Sequence, residues 1–221
     1  VEKSHVRQPK QTRSRQSFDR VVDAACEIIN EGGLAALTLA EVSRRSKVSI
    51  GSIYCRVEGK EDLLREVQVR TLQRMEHDFS LLLARIRRRN LSLKDLVPAL
   101  VRELGEHHRK FSALLAAFMQ QATADEVIRD VGRARYLSTG ADFRAILLEH
   151  REEIRHPDPD HAVEACFAIA YGAIARYLGL GSMGVREVRW NELLRDLGLM
   201  TLAFLVADLR HLAAPESKPA R

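Results

Sequence analysis

The chain has 221 residues, enough for one large domain or two small ones, and enough to bury a core without help from disulfides or metal. Apolar residues make up 46% and charged residues 29%, with 12 Gly and 6 Pro; this excludes a collagen-like, low-complexity or wholly disordered chain, and no apolar run nears the ~20 residues of a membrane-spanning helix. Much of the net charge of +5 sits at the start, where Lys3, Arg7, Lys10, Arg13, Arg15 and Arg20 outnumber Glu2 and Asp19.

Residues 1–16 are polar and aperiodic and read as a flexible basic arm. Such arms often contact nucleic acid, and the same pattern describes a solvated tail. No apolar core and cleavage site follow, so the arm is not read as a secretory signal. Helical periodicity starts at Ser17, with Phe18, Val21, Val22, Ala25, Ile28 and Ile29 at spacings of three and four. Asn30, Gly32 and Gly33 are expected to end it. Thr38 with Glu41 makes a capping box for a short helix carrying Leu39 and Val42, ending near Ser46. Ser49 caps a second short helix with Ile53 and Val57 inward, and Gly59 stops it. Two short helices joined by a tight turn form a helix-turn-helix. A long helix is predicted from Lys60 to about Arg88, with its terminal arginines suited to the helix dipole.

Ser92 with Asp95 marks the next helix start, and Pro98 falls in its early turns, where proline is tolerated best. Phe111 to Met119 is a short apolar helix. Thr123 with Glu126 reads as a capping box opening a long helix through Tyr136, Phe143 and Leu147. HPDPD at 156–160 is a turn whose second proline suits a helix start. A helix covers Cys166 to Leu180, GLGSMG at 179–184 is a loop, and a final helix runs from Trp190 to Leu212. There is no period-2 strand and no internal repeat. The expected fold is therefore all-α with about nine helices: a helix-turn-helix domain at 17–62, a larger helical domain at 63–213 and a disordered tail at 214–221.

A helix-turn-helix acts through its second helix, which enters the major groove with side chains at base edges. Here Ser49, Ile50, Gly51, Ser52, Tyr54, Cys55 and Arg56 are the outward candidates. Gly51 and Ser52 are small and permit close approach. Hydroxyls of the serines and Tyr54 suit phosphate oxygens. Arg56 suits guanine or phosphate, and Ile50 a thymine methyl. Lys60 sits at a helix start that attracts phosphate. Spacing alone also allows a simpler reading, in which both short helices are only core packing.

The segment TLAEVSRRSKVSIGSIYCRVEGKEDLL (38–64) resembles the DNA-binding signature of the tetracycline-repressor (TetR) family. The resemblance rests on Thr38, Val42, Ser43, Val48, Ser49, Gly51, Ser52, Ile53, Tyr54, Lys60, Glu61, Leu63 and Leu64, with IINEGGLAALT (28–38) ahead of it. It covers about residues 17–66. Lys47 stands where the family usually has a turn Gly, and Val57 where Phe is common. The resemblance implies a homodimer on a palindromic double-stranded DNA operator, released by a small-molecule effector, most often acting as a repressor; the odd, widely spaced cysteines suit a reducing, cytoplasmic setting. It implies Thr38, Tyr54 and Lys60 on phosphate, and Ile50, Gly51, Ser52, Cys55 and Arg56 near bases or adjacent backbone. Arg13 and Arg15 of the arm would reach the minor groove or flanking phosphates. An activator, or a DNA-binding protein without an effector, carries the same signature.

For the second domain the resemblance implies a variable effector pocket. Phe111, Phe118, Met119, Tyr136, Phe143, Cys166 and Tyr171 are expected around it, with His107, Arg144 and His150 as polar candidates. The effector is expected to be apolar or amphipathic. Small residues Ala165, Ala168, Gly172, Ala175 and Gly179, with the stripe Leu193, Leu197, Met200 and Phe204, read as the dimer face or as internal packing. No cofactor or metal is expected. His107 and His108 point about 100° apart on a helix, and Cys26, Cys55 and Cys166 are odd in number and widely spaced. A helical enzyme remains the contrasting class, but the chain has no HExxH, no GxSxG and no phosphate-cradling glycine loop after a strand.

Overall fold

The computed structural model describes residues 10–181 and 188–208. Among them are nine α-helices: α1 (Lys10–Ala36), α2 (Leu39–Ser46), α3 (Ile50–Tyr54), α4 (Lys60–Arg88), α5 (Leu93–Lys110), α6 (Ser112–Gln121), α7 (Glu126–Leu148), α8 (Pro159–Tyr177) and α9 (Trp190–Val206). A 3-10 turn at Arg151–Glu153 precedes α8, and no strand occurs among the described residues. The all-α expectation holds. No helix of the described residues is long and apolar enough to cross a membrane. Arm residues 1–9, the side chain of Arg13, loop residues 182–184 and the tail at 214–221 lie outside the described residues.

Local chemistry accounts for most of the boundaries. Asp158 caps α8 by accepting from the His161 amide at 3.0 Å, and Pro159 takes the first helical position. Three boundaries differ from the sequence reading. Helix α1 begins at Lys10 rather than Ser17, because KQTRSRQ is rich in good helix formers that need no apolar face when solvated. At its other end Gly33, the last of the three expected stop residues, interrupts the helix at φ 68° and ψ −171°, with one further turn to Ala36. Thr123 does not cap α7; its hydroxyl donates to the Gln120 carbonyl. Asp125 caps instead, accepting from the amides of Val127 and Ile128 at 3.0 and 3.2 Å. Helix α9, expected to reach Leu212, ends at Val206, where Ala207 turns extended.

The described chain forms two compact units. The first takes the chain up to Arg74 together with Ala113–Gly132. Its core is Val21, Val22, Ala25, Ile28 and Ile29 of α1, Val42 of α2, Ile53 of α3 and Leu63, Leu64 and Val67 of α4, all buried. Polar groups fasten the second segment of this unit to α4. Arg65 Nε donates to Asp125 Oδ2 at 2.8 Å, and Gln68 Nε2 to the Ile128 carbonyl at 2.8 Å. The expected cut at 62/63 falls in the first turn of α4, a continuous helix with Glu61 and Asp62 at its positive end.

The second unit holds Met75–Ser112 and the chain from Arg133 onward. Its core unites Phe79, Leu83, Leu100, Leu104, Phe143, Phe167, Trp190 and Leu194. Helices α5 and α9 pack very closely, and glycine permits it. A Cβ at Gly198 would stand 2.9 Å from the Pro98 Cα, and one at Gly105 only 2.4 Å from a Leu194 methyl.

Candidate nucleic-acid interface

The α2–turn–α3 segment is held by short polar contacts as well as by its apolar underside. Thr38 caps α2 by accepting from the Glu41 amide at 3.2 Å, which leaves the hydroxyl proton of the exposed Thr38 available to an outside acceptor. Glu41 accepts from Arg44 at 2.6 Å and from Arg45 at 2.8 Å, and these bonds hold its carboxyl down to about 2. Arg45 also pairs with Glu31 at 2.7 Å. Lys47 ends α2 in the left-handed region at φ 56°, the conformation for which glycine is the usual residue. The turn is closed by Ser43 Oγ donating to the Val48 carbonyl at 2.7 Å, and Arg20 of α1 donates to the Ser46 carbonyl at 3.3 Å.

Ser49 caps α3, accepting from the Ser52 amide at 3.3 Å and bonding the Ser52 hydroxyl at 2.8 Å. Ile53 and Val57 are buried, as the spacing predicts, while Ile50, Gly51, Ser52, Tyr54, Cys55 and Arg56 are exposed together. Tyr54 is 56% exposed, so its hydroxyl is not committed to the core. Gly51 has no atom within 4 Å of where a Cβ would lie, and it adopts no positive φ. Neither backbone nor packing requires glycine here. Gly costs about 0.5–1 kcal/mol against Ala within a helix.

Two candidate contacts are engaged within the protein. The Lys60 ammonium donates to the Leu34 carbonyl at 2.9 Å, leaving two of its three protons for an external anion. Arg56 bonds the Ser14 hydroxyl and lies 5.5 Å from the Phe18 ring centroid. Arg70 faces the same ring at 5.3 Å and pairs with Asp19 and Glu66. A recess of about 200 Å³ lies among Ser14, Ser17, Phe18, Val21, Val48, Ser52 and Arg56. Arg15 is exposed on α1 rather than on an aperiodic arm. The clasp of Ser14, Phe18 and Arg56 was not read from the sequence, since its members lie about 40 residues apart and only the fold brings them together.

The expected effector residues divide between the units. Phe118 and Met119 belong to the first, with Phe118 buried and Met119 40% exposed. His107, Phe111, Tyr136, Phe143 and Tyr171 belong to one ring cluster in the second. His107 meets Phe79 at 5.4 Å and Phe111 at 5.5 Å between ring centroids. His108 meets Tyr171 at 5.1 Å, Tyr171 meets Tyr136 at 4.8 Å, and Phe167 joins Tyr136 and Phe143. Phe79, His108 and Phe167 were missed; their core spacing on α4, α5 and α8 was the available signal. Burial above all holds the His107 imidazolium off, lowering its pKa to about 4, with His108 and Arg135 adding to the effect. Burial likewise raises the Cys166 thiol to about 11. Arg144 and His150 pair instead with Glu164 and Glu153. Among the described residues no group of three His, Cys, Asp or Glu is placed to hold a metal.

Of the expected dimer residues, Ala168, Gly172 and Met200 are exposed. Ala175, Leu193 and Phe204 are half-buried, and Leu197 is buried in the second unit's core. The apolar stripe of α9 thus straddles the core edge. Its exposed part is Leu199, Met200 and Val206, and Ile169 of α8 is exposed as well.

Residues 21–67 match the family of bacterial regulatory proteins, tetR family. No curated protein matches the chain. Among solved structures, a transcriptional regulator of Mesorhizobium loti assigned to the TetR family shares 20% identity at a TM-score of 0.65, over 87% of this chain and 96% of that one. A TetR transcription regulator from Haloarcula marismortui shares 18% identity at a TM-score of 0.64, over 86% and 97%. A transcriptional regulator from Rhodococcus sp. Rha1 shares 20% identity at a TM-score of 0.60, over 89% and 98%.

Proposed function

We propose that this chain, whose residues 21–67 carry the tetR-family DNA-binding domain and whose fold is that of TetR-family regulators, is an effector-responsive transcriptional repressor acting as a homodimer. The observation that carries the reading is the α3 surface. It presents Ile50, Gly51, Ser52, Tyr54, Cys55 and Arg56 outward on a base of buried Ile53 and Val57, with a glycine that the fold itself does not need. Small outward residues let backbone approach DNA, Tyr54, Thr38 and Lys60 take phosphates, and Ile50 and Arg56 read base edges. Ile169, Leu199, Met200 and Val206, exposed on α8 and α9, supply the apolar face that pairs two copies. Binding of a small molecule in the second domain changes the spacing of the two α3 helices and releases the operator.

The test is selection of bound duplexes from a random DNA pool at fixed salt. A palindromic motif with half-sites about one helical turn apart is expected. Salt-sensitive binding with no enriched motif would overturn the operator reading.

A further inference from the structure

The second unit contains a buried cation whose hydrogen bonds are not made. The Arg135 side chain, on α7, is only 11% exposed, and its Nε and Nη1 have no hydrogen-bond partner. Its nearest carboxylate is that of Glu76, 3.6 Å from Nη1 and itself 62% exposed, too distant to accept a bond. Asp142 acts on it only through space. A second orphan lies in the same unit: His107 is 7% exposed and its Nε2 is buried without a partner. Arg135 is within Coulombic reach of His107, His108 and Tyr171. Two polar groups with buried nitrogens that make no hydrogen bond therefore share one aromatic neighbourhood.

Buried donors are almost always satisfied, and buried N–H groups of a cation that lack an acceptor are a costly exception. A leucine or methionine would fill the position without the desolvation penalty. Tyr136, next to Arg135 in the chain, packs ring against ring with Phe167 and Tyr171, and an apolar surface beside a charged donor is the composition of a small-molecule site. His107 also lines a groove of about 350 Å³ with Leu81 and Leu82. Two carboxylates of that groove are already engaged: Asp78 with Lys110, and Glu106 with Arg109 and the Trp190 indole.

We propose that the effector is a monocarboxylate with an apolar or aromatic body, its anionic end held by Arg135 with His107 as a second donor. The neutral His107 ring donates from Nε2 in its Nε2–H tautomer. Carboxylate and guanidinium match in charge and geometry, so the uncharged amide of the same acid offers the Arg135 donors no charged acceptor and binds poorly. This assignment rests on the effector-responsive reading above and narrows its chemistry.

The test uses the full chain and two matched probe series. One holds hexanoate, octanoate, decanoate and 4-phenylbutanoate; the other holds their primary amides. Thermal shift and titration calorimetry follow binding to the wild type, Arg135→Gln and Arg135→Lys, with circular dichroism confirming that each variant folds. The expected result is saturable binding of at least one carboxylate, at least ~10-fold tighter than its amide, a difference of about 1.4 kcal/mol. Arg135→Gln should abolish that difference, and Arg135→Lys should restore part of it. Equal binding of acid and amide, retention of the preference in Arg135→Gln, or no binding by any of the four acids overturns the assignment. DNA selection is scored separately on the free protein. An enriched operator with no carboxylate binding refutes this inference alone, while carboxylate preference without an operator refutes the DNA reading alone.

Discussion

Gly51→Ala separates what the fold needs from what the DNA needs. The added methyl meets no atom within 4 Å, and the backbone is not in a glycine-only conformation. Replacing glycine in a helix by alanine gains about 0.5–1 kcal/mol. Gly51 lies in the first turn of a five-residue helix, so the lower figure applies. For a chain of this size that raises Tm by about 1–2 °C. On DNA the same methyl projects from the face that also bears Ile50 and Tyr54, where helix and groove must approach closely. Displacing that helix from base edges and phosphates in both subunits should weaken operator binding by about 10-fold or more, roughly 1.4 kcal/mol. Thermal melts and fluorescence anisotropy on the selected operator, at one salt concentration, read both effects. A lowered Tm would show that the fold does need glycine at 51. A raised Tm with unchanged affinity would remove Gly51 from the interface, and with it the main argument for how α3 meets DNA.

Tyr54→Ala should weaken binding to all sequences alike and flatten the salt slope little, because a neutral phosphate contact is lost; repeating the duplex selection with the variant checks this, and a changed consensus would place Tyr54 at a base edge. Lys47→Gly should stabilise the chain by about 1 kcal/mol, since a left-handed lysine at φ 56° is relieved, read as a higher urea midpoint. Gly198→Ala should destabilise by about 1–3 kcal/mol, because its Cβ would meet the Pro98 Cα at 2.9 Å, a backbone atom that cannot swing aside. Stability should fall as pH drops from about 6.5 to 4. The buried His107, with a pKa near 4, resists a proton that the unfolded chain accepts near 6.5. After allowance for partial solvent access the loss is about 1–2 kcal/mol, and His107→Gln should flatten the urea midpoint across that window.

The features legible in the sequence are those fixed by neighbours along the chain. Thr38 with Glu41 and Ser49 with Ser52 are contacts three residues apart, and Asp158 with Pro159 is a single local device. The glycine-free run from Lys60 to Arg88 emerged at its predicted ends for the same reason. Where two local devices competed, distance decided. Both Thr123 and Asp125 can cap the start of α7, and Asp125 does so while bound to Arg65, 60 residues earlier. The start of α1 was not legible because apolar periodicity is the signal for a helix, and the polar run at residues 10–16 has no such periodicity.

The candidate site divides along the same line. The outward set on α3 follows from helix phase once Ile53 and Val57 are taken as the inward pair, so it could be listed residue by residue. The state of those side chains could not. Lys60 is shared with the Leu34 carbonyl, and Arg56 is drawn onto Ser14 and Phe18, by pairings across 26 to 42 positions. In the second unit the limit is sharper. His107 and His108 point apart on α5, yet both are buried, because aromatic rings from α4 and α8 reach one each. Arg135 looks like any other arginine on a helix carrying Arg129 and Arg133. A periodic pattern predicts which face turns inward, and a charged residue on that face is ordinarily read as its edge. Only the packed structure shows that two nitrogens of this guanidinium are buried without a hydrogen-bond acceptor, with the Glu76 carboxylate 3.6 Å away.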